Sequence, residues 1–330
     1  MEKWNVILGV DVSKRTLDIG CADLKLHVQI DNNSTGFAAF LKWSKLYKID
    51  LKTTLIVLEH TGGYEYRFLQ FCQSHGICFC RVAGLEIKNS LGMIRGKNDR
   101  ADAYRISQYG QEKIRRLEPS RPLNDRILQL KQLLAFRKRL VREKAGYEST
   151  IKERRHMYGK TRSDIIIHTA QQRIKENKKH IKQLEQEIMQ LIKTDEAMWC
   201  NYRLITSIKG IGNINAWMTL AYTENFSSFA TPRKYAVYAG VIPFSHRSGT
   251  SIKQRDRVSH LANKEIKQEL NQAAKTAIVH DPELRAYAER KLTTKCYPLV
   301  LNNVKFKLIL RMFALVKRGE KYVDNYKRVA

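Results

Sequence analysis

Four carboxylates stand where a site for polynucleotide chemistry would need them. Asp11 closes an apolar run, Trp4 to Asp11 (WNVILGVD). Glu59 closes another, Thr54 to Leu58 (TLIVL), and leads into His60-Thr61-Gly62-Gly63. Asp99 and Asp102 follow at spacing i, i+3, which puts both on one face of a helix. Two strand-end acids and a helical pair can converge at one edge of a sheet. Clustered like charges repel unless a cation sits among them, and hard oxygen ligands suit Mg²⁺ or Mn²⁺. Two such ions about 4 Å apart serve phosphodiester cleavage, one activating the nucleophile and one stabilising the leaving oxygen. Each acid alone has a plainer use. Asp99 suits a helix cap, Asp102 a partner for Arg105 or Lys97, and Asp11 the start of a turn. The combination, in a basic chain, is what points to a metal-nuclease site.

A second reactive set lies in Phe244-Ser-His-Arg-Ser248-Gly-Thr-Ser251-Ile-Lys253-Gln-Arg255, read as a hydroxyl-rich loop followed by cations. A serine there binds phosphate or attacks it, and composition leaves Ser245, Ser248 and Ser251 equivalent. His246 stands two residues before Ser248 with no orienting acid nearby, so a hydrolase-like pair is disfavoured. His60 reads as a turn hydrogen-bonding group. Upstream, Ser207-Ile-Lys-Gly210-Ile-Gly212-Asn resembles the hairpin of a helix-hairpin-helix, whose backbone N–H groups hold phosphate without reading sequence. A plain glycine turn between helices is the alternative. Lys97, Lys253 and Arg255, with Gly210 and Gly212, are the nucleic-acid-binding candidates. Tyr104, Tyr109, Tyr235 and Tyr238 are aromatic enough to stack on bases, although helical spacing favours core. The six cysteines include no Cys-x-x-Cys pair, so buried reduced thiols are expected rather than a zinc site.

The partner of these groups is suggested by charge. The chain has 330 residues with 60 Lys+Arg against 32 Asp+Glu, a formal net charge of +28. Such self-repulsion is relieved by a polyanion, and nucleic acid leads over an anionic membrane surface. The surplus is uneven: net +4 over residues 1–100, +10 over 101–200 and +14 over 201–330. A 43% hydrophobic fraction excludes wholesale disorder. No apolar run approaches the roughly 18–20 residues of a bilayer span, and no signal peptide is apparent. A soluble intracellular protein is the expectation.

The elements that must position these groups follow from periodicity. Strands at 4–11, 16–21 and 25–30 form an opening meander. A helix capped by Ser34, a strand at 54–58, a helix at 64–75, a strand at 77–82 and helices from Leu85 and Asp99 complete an α/β order. Pro119 and Pro122 mark a boundary. Residues 124–158 and 170–195 read as long helices, the second with Ile174, Ile181, Leu184, Ile188 and Leu191 at coiled-coil-like spacing. Thr231-Pro232 starts a helix that Gly240 and Pro243 stop, and helical patterns return at 263–279 and 300–317. The expected fold is α/β plus α. Its domains are 1–120 with the acids, a coiled-coil connector at 121–198, and a mainly helical domain at 199–330 with the serine.

Gly9-Val-Asp11-Val-Ser-Lys14, Leu58-Glu59-His-Thr-Gly62 and Lys97-Asn-Asp99-Arg-Ala-Asp102-Ala103 resemble the acidic strings of the ribonuclease-H-like fold in its Holliday-junction-resolvase (RuvC) variety. With the connector, the Gly-Ile-Gly hairpin and the Ala-Gly…Pro…Ser-Gly-x-Ser string in this order, residues 5–320 resemble the DEDD-type transposases of bacterial insertion sequences, the family numbered one-ten, related to the Piv invertases. That resemblance implies that Asp11, Glu59, Asp99 and Asp102 hold Mg²⁺ or Mn²⁺. It implies that Ser248 attacks DNA and forms a phosphoserine link. It further implies a composite site built between subunits of a homo-oligomer, double-stranded donor and target DNA, and a structured guide (bridge) RNA. His60 and Phe244-Ser-His-Arg247 depart from the family's commoner residues. Two other readings remain: a junction-resolving endonuclease that uses the acids alone, and a non-catalytic nucleic-acid-binding protein.

Overall fold

The computed structural model describes residues 4–60, 62–90, 98–159, 164–248 and 252–324, without the side chains of 245–256. Strands β1 (Val6–Val12), β2 (Thr16–Cys21) and β3 (Leu26–Asp31) form an antiparallel meander. Helix α1 (Ser34–Leu46) leads to β4 (Thr54–Glu59), which pairs in parallel with β1. Helix α2 (Tyr66–Ser74) leads to β5 (Cys78–Val82), parallel to β4, and then α3 (Gly84–Ser90) and α4 (Asp99–Glu112) follow. The sheet order is β3-β2-β1-β4-β5.

Side-chain alternation divides the sheet between two helix layers. Leu8, Val10, Leu17, Ile19, Ile56 and Leu58 pack with Phe37 and Phe40 of α1 and Phe68 and Leu69 of α2. Ile7, Leu55 and Val57 pack on the other face with Ile87 of α3 and Ile106 and Tyr109 of α4. Asp11 belongs to this second face, two residues beyond Gly9.

Helix α4 approaches the sheet until backbone meets backbone. A Cβ on Gly9 would lie 2.2 Å from both the Ala103 oxygen and the Ser107 nitrogen. One on Gly20 would lie 3.1 Å from the Tyr104 nitrogen, and one on Gly110 would lie 2.6 Å from Ile7 Cγ2. Ser107 fastens the seat: its buried hydroxyl donates to the Ile7 carbonyl (2.9 Å) and accepts from the Ala22 N–H (3.1 Å). The helix begins where Asn98 Oδ1 accepts from the Arg100 N–H, so Asp99 is its first residue rather than its cap. In α1 likewise Asn33, not Ser34, accepts the capping N–H, from Gly36. At each of these boundaries the adjacent polar residue competes for the same role.

The chain divides into two compact units, Met1–Asn124 and Asp125–Ala330. In the second, the long helices α5 (Asp125–Tyr158) and α6 (Ile165–Lys193) pack along one another, with Arg137–Glu185 and Arg154–Asp164 ion pairs. The side of α6 bearing Ile167, Ala170, Asn177, Ile188 and Ile192 is buried. Helices α7 (Glu196–Thr206), α8 (Asn213–Tyr222), α9 (Pro232–Tyr238), α10 (Lys264–His280), α11 (Pro282–Leu292) and α12 (Tyr297–Arg318) surround Trp217, Leu270, Leu308 and Met312. Thr231 caps α9 and Pro232 occupies its first turn, as their types require.

The segment read as a hydroxyl-rich loop is instead a hairpin, β6 (Phe244–Ser248) paired antiparallel with β7 (Ile252–Arg257). The strands lack the apolar alternation by which a sequence signals a hairpin. No helix among the described residues is long and apolar enough to cross a membrane.

The seat of α4 leaves no room for a side chain at Gly9. Gly9→Ala is expected to destabilise the protein by about 3 kcal/mol, because the obstacle is helix backbone. Ser107→Ala is expected to cost about 2 kcal/mol by leaving buried backbone groups unpaired. Urea unfolding of each variant measures both, and an unchanged midpoint for Gly9→Ala would refute the close seat.

Candidate functional site

Strand β1 delivers Asp11 and α4 delivers Asp99 and Asp102 to one place. Their carboxylate oxygens come within 4.8 Å of one another, with Asp11 and Asp102 half-buried and Asp99 exposed. Spacing i, i+3 aligns the helical pair. The close seat at Gly9 brings that pair down to β1. Asp102 also holds Arg105 Nη1 at 2.6 Å, so one of its oxygens has a cationic neighbour.

The cluster has an electrostatic cost. The pKa of Asp11 is raised from 3.8 to about 6, first by burial and then by Asp102, Asp99 and Asp18. Three carboxylates at this separation would suit a hard divalent cation as ligands, and its charge would favour the ionised form of Asp11.

Glu59 stands on the same face of the adjacent strand but is not one of the clustered three. Its carboxyl lies against the start of α3, where a Cβ on Gly84 would fall 1.8 Å from Oε1. A glycine at 84 is what leaves Glu59 its room. His60 donates its backbone N–H to the Val82 carbonyl (3.1 Å), and its Nδ1 accepts from the Gly62 N–H (3.3 Å). The first bond continues the β4–β5 ladder and the second is a turn contact.

One acid escaped the sequence reading. Asp18 faces Asp11 directly across the β1–β2 ladder and is buried at 5% exposure. His27 Nε2 (2.9 Å) and Gln29 Nε2 (3.0 Å), both from β3, hold its carboxylate. The signal was an acid inside an otherwise apolar strand, Thr-Leu-Asp-Ile-Gly-Cys, where solvent-facing alternation is absent.

In the second unit the candidates are spread over separate elements. Gly210 adopts φ +95°, and a Cβ there would meet the Ala273 oxygen at 2.6 Å, so its glycine is needed for packing on α10. Gly212 is the exposed residue that opens α8, without a side-chain cap. Ser248 ends β6, opposite Ile252, and Lys253 pairs with Arg247 in the ladder. Arg255 lies on β7. The side chains of Ser245, His246, Ser248, Lys253 and Arg255, and all of Lys97 and Ser251, lie outside the described residues. Tyr109 and Tyr235 are buried in the cores, which removes them as base-stacking platforms.

The raised Asp11 makes a signed prediction. Its stabilising contribution is fully present below the unfolded value and is lost as pH rises through about 6. Without metal, Asp11→Asn should therefore raise Tm at pH 8 and change it little at pH 4. Added Mg²⁺ should raise the Tm of the unsubstituted protein at pH 8 more than that of the variant. Melting curves at both pH values, with Mg²⁺ or with chelator, read this; a variant effect independent of pH would sink the repulsive cluster.

Comparison with known proteins adds an independent line. Residues 8–154 match the DEDD-type IS110 transposase model, described as "Transposase", and residues 202–289 match the model "Transposase IS116/IS110/IS902 family". A pilin gene-inverting protein of Moraxella lacunata is 29% identical over 275 residues, 80% of each chain. Its counterpart in Moraxella bovis is 28% identical over 273 residues, again 80% of each. An uncharacterised 43.6 kDa protein of insertion element IS110 in Streptomyces coelicolor is 28% identical over 120 residues, 36% of this chain and 29% of that one. With one transposase family matched on both units and inverting relatives aligned over most of its length, this chain belongs to the IS110 family of transposases.

Proposed function

We propose that the chain is the recombinase of an insertion sequence, cutting and rejoining DNA through a covalent serine–DNA intermediate. The observation that carries this reading is the convergence of Asp11, Asp99 and Asp102 on the face of a sheet in a protein of charge +28. The order β3-β2-β1-β4-β5, with β2 antiparallel to both neighbours, supports a ribonuclease-H-like, RuvC-type first unit. Asp11, Asp99 and Asp102 would hold Mg²⁺ or Mn²⁺, with Glu59 the fourth acid. The ion would supply Lewis-acid polarisation of the scissile phosphate.

Ser248 is the proposed nucleophile. A serine hydroxyl needs activation, and its Oγ loses a proton as it bonds to phosphorus. The bond from phosphorus to one deoxyribose oxygen breaks, and that oxygen leaves as a hydroxyl. The phosphoserine ester conserves the bond, so a hydroxyl of the exchanged strand can displace the serine without ATP. No Walker-type phosphate loop occurs in the sequence. Gly210, Gly212, Lys97, Lys253 and Arg255 are assigned to the nucleic-acid backbone. Residues 121–198 serve as a coiled-coil-like connector between 1–120 and 199–330. A homo-oligomer acting on donor and target duplexes, guided by a structured RNA, fits the basic surplus of the later residues. The relatives' title of gene inversion suggests strand exchange rather than hydrolysis as the outcome.

The test is capture of the intermediate. Purified protein with co-purifying RNA, Mg²⁺ and DNA carrying the ends of its own element should give a protease-sensitive protein–DNA adduct. Ser248→Ala should abolish the adduct. Asp102→Asn should lower strand transfer by at least about 10³-fold while leaving DNA binding within a few-fold, because one transition-state interaction is removed. Cleavage that persists in Ser248→Ala but not in Asp11→Ala would replace the serine mechanism with a RuvC-like endonuclease.

A further inference from the structure

Helix α12 carries a lysine at a core position. Leu301, Val304, Leu308 and Ile309 form its buried stripe, and Lys305 sits among them at 4% exposure. Burial of an ammonium is costly unless a counter-charge or acceptors surround it. Among the described residues Lys305 has neither. Burial first, and then repulsion by Lys267 of α10, draws the Lys305 pKa down to about 8. The acids of α10 are engaged elsewhere: Glu265 pairs with Lys138, and Glu269 lies near Arg137 of α5.

The two lysines share a particular corner. The Lys267 stem passes 3.5 Å from where a Cβ on Gly240 would lie, and Gly240 is in the left-handed region at φ +66°. One turn before Lys305, Asn302 Nδ2 donates to the Val241 carbonyl. Gly240 and Val241 lead directly into β6, the strand that ends at Ser248. Two uncompensated cations thus flank the base of a hairpin whose own sequence adds Arg247, Lys253, Arg255 and Arg257.

We propose that Lys305 and Lys267 form a binding site for a DNA backbone phosphate at the corner that feeds the β6–β7 hairpin. An anion there removes the repulsion between the ammoniums and supplies the acceptors that Lys305 lacks. Lysine acts on phosphate as a point charge, so the site positions the duplex and reads no bases. The proposal rests on the family's action on DNA and not on Ser248 as nucleophile.

The experiment uses full-length Ser248→Ala protein, so that chemistry does not intrude, and a short random-sequence DNA duplex. Fluorescence anisotropy over a range of salt concentrations gives the affinity and its salt slope. Lys305→Met keeps the side-chain volume and should raise Tm without DNA, since an unpaired buried charge is removed. It should weaken DNA binding roughly 5- to 10-fold and lower the magnitude of the salt slope by about 1. Lys267→Met, at a half-buried position, is the second variant and should weaken binding in the same direction. Unchanged affinity and slope in both variants would overturn the proposal, whatever happens to Tm. A loss confined to an RNA duplex of the same length would also overturn it as a DNA site.

Discussion

The first unit depends on how near α4 comes to the sheet. Helices ordinarily keep a side-chain layer between themselves and a strand. Here Gly9, Gly20 and Gly110 remove that layer, and Ser107 bridges the Ile7 carbonyl and the Ala22 N–H. The contact is therefore hydrogen-bonded and steric as well as hydrophobic, and it fixes the helix in register with β1. Because Gly9 and Asp11 share a face, and Asp99 and Asp102 begin the same helix, one seating contact sets the spacing of three carboxylates. A loop would hold such repelling groups less firmly than packed elements do.

The same seating explains which acids converge. Asp11, Asp99 and Asp102 lie on the two elements in backbone contact. Glu59 rides on β4, and its carboxyl is directed to the start of α3 by the space at Gly84. Asp18 is close enough to raise the Asp11 pKa, yet His27 and Gln29 occupy its carboxylate. The site thus has a converging trio, a flanking glutamate, and a buried aspartate that adds negative field without free oxygens.

The strand-end acids were legible in sequence because a carboxylate that closes an apolar run contrasts with its surroundings. The helical pair was legible because i, i+3 spacing needs no tertiary knowledge. Asp18 was not, since its meaning comes from the cross-strand pairing with Asp11 and from side chains on β3. The β6–β7 hairpin was hidden for a different reason: its strands are polar throughout, so no period of two reveals them. Asn33 and Asn98 displaced the expected caps by a single residue, because adjacent polar residues offer equivalent acceptors and only φ and ψ choose. The glycine turn implied helices on either side of Gly210 and Gly212, where α7 and α8 lie, whereas α11 was not read although Pro282 stands in its first turn. The acidic trio was thus readable from local pattern, whereas the position of Glu59 depended on a glycine contact between β4 and α3.

Asp11 and Lys305 present the same physical problem with opposite sign. Each is a charge withdrawn from water and repelled by a neighbour of its own sign. Stability alone would favour asparagine at the first and methionine at the second, since neutral groups of similar volume remove the penalty. Stabilising substitutions of this kind commonly carry a functional cost when the destabilised site is the working one. A cation relieves the first site and an anion the second. In the proposed function both would be supplied together, since nucleic acid carries phosphate and its divalent counterions. A protein that merely coats DNA would need only surface lysines and no cluster of three carboxylates, so the pairing fits the phosphodiester-processing reading better.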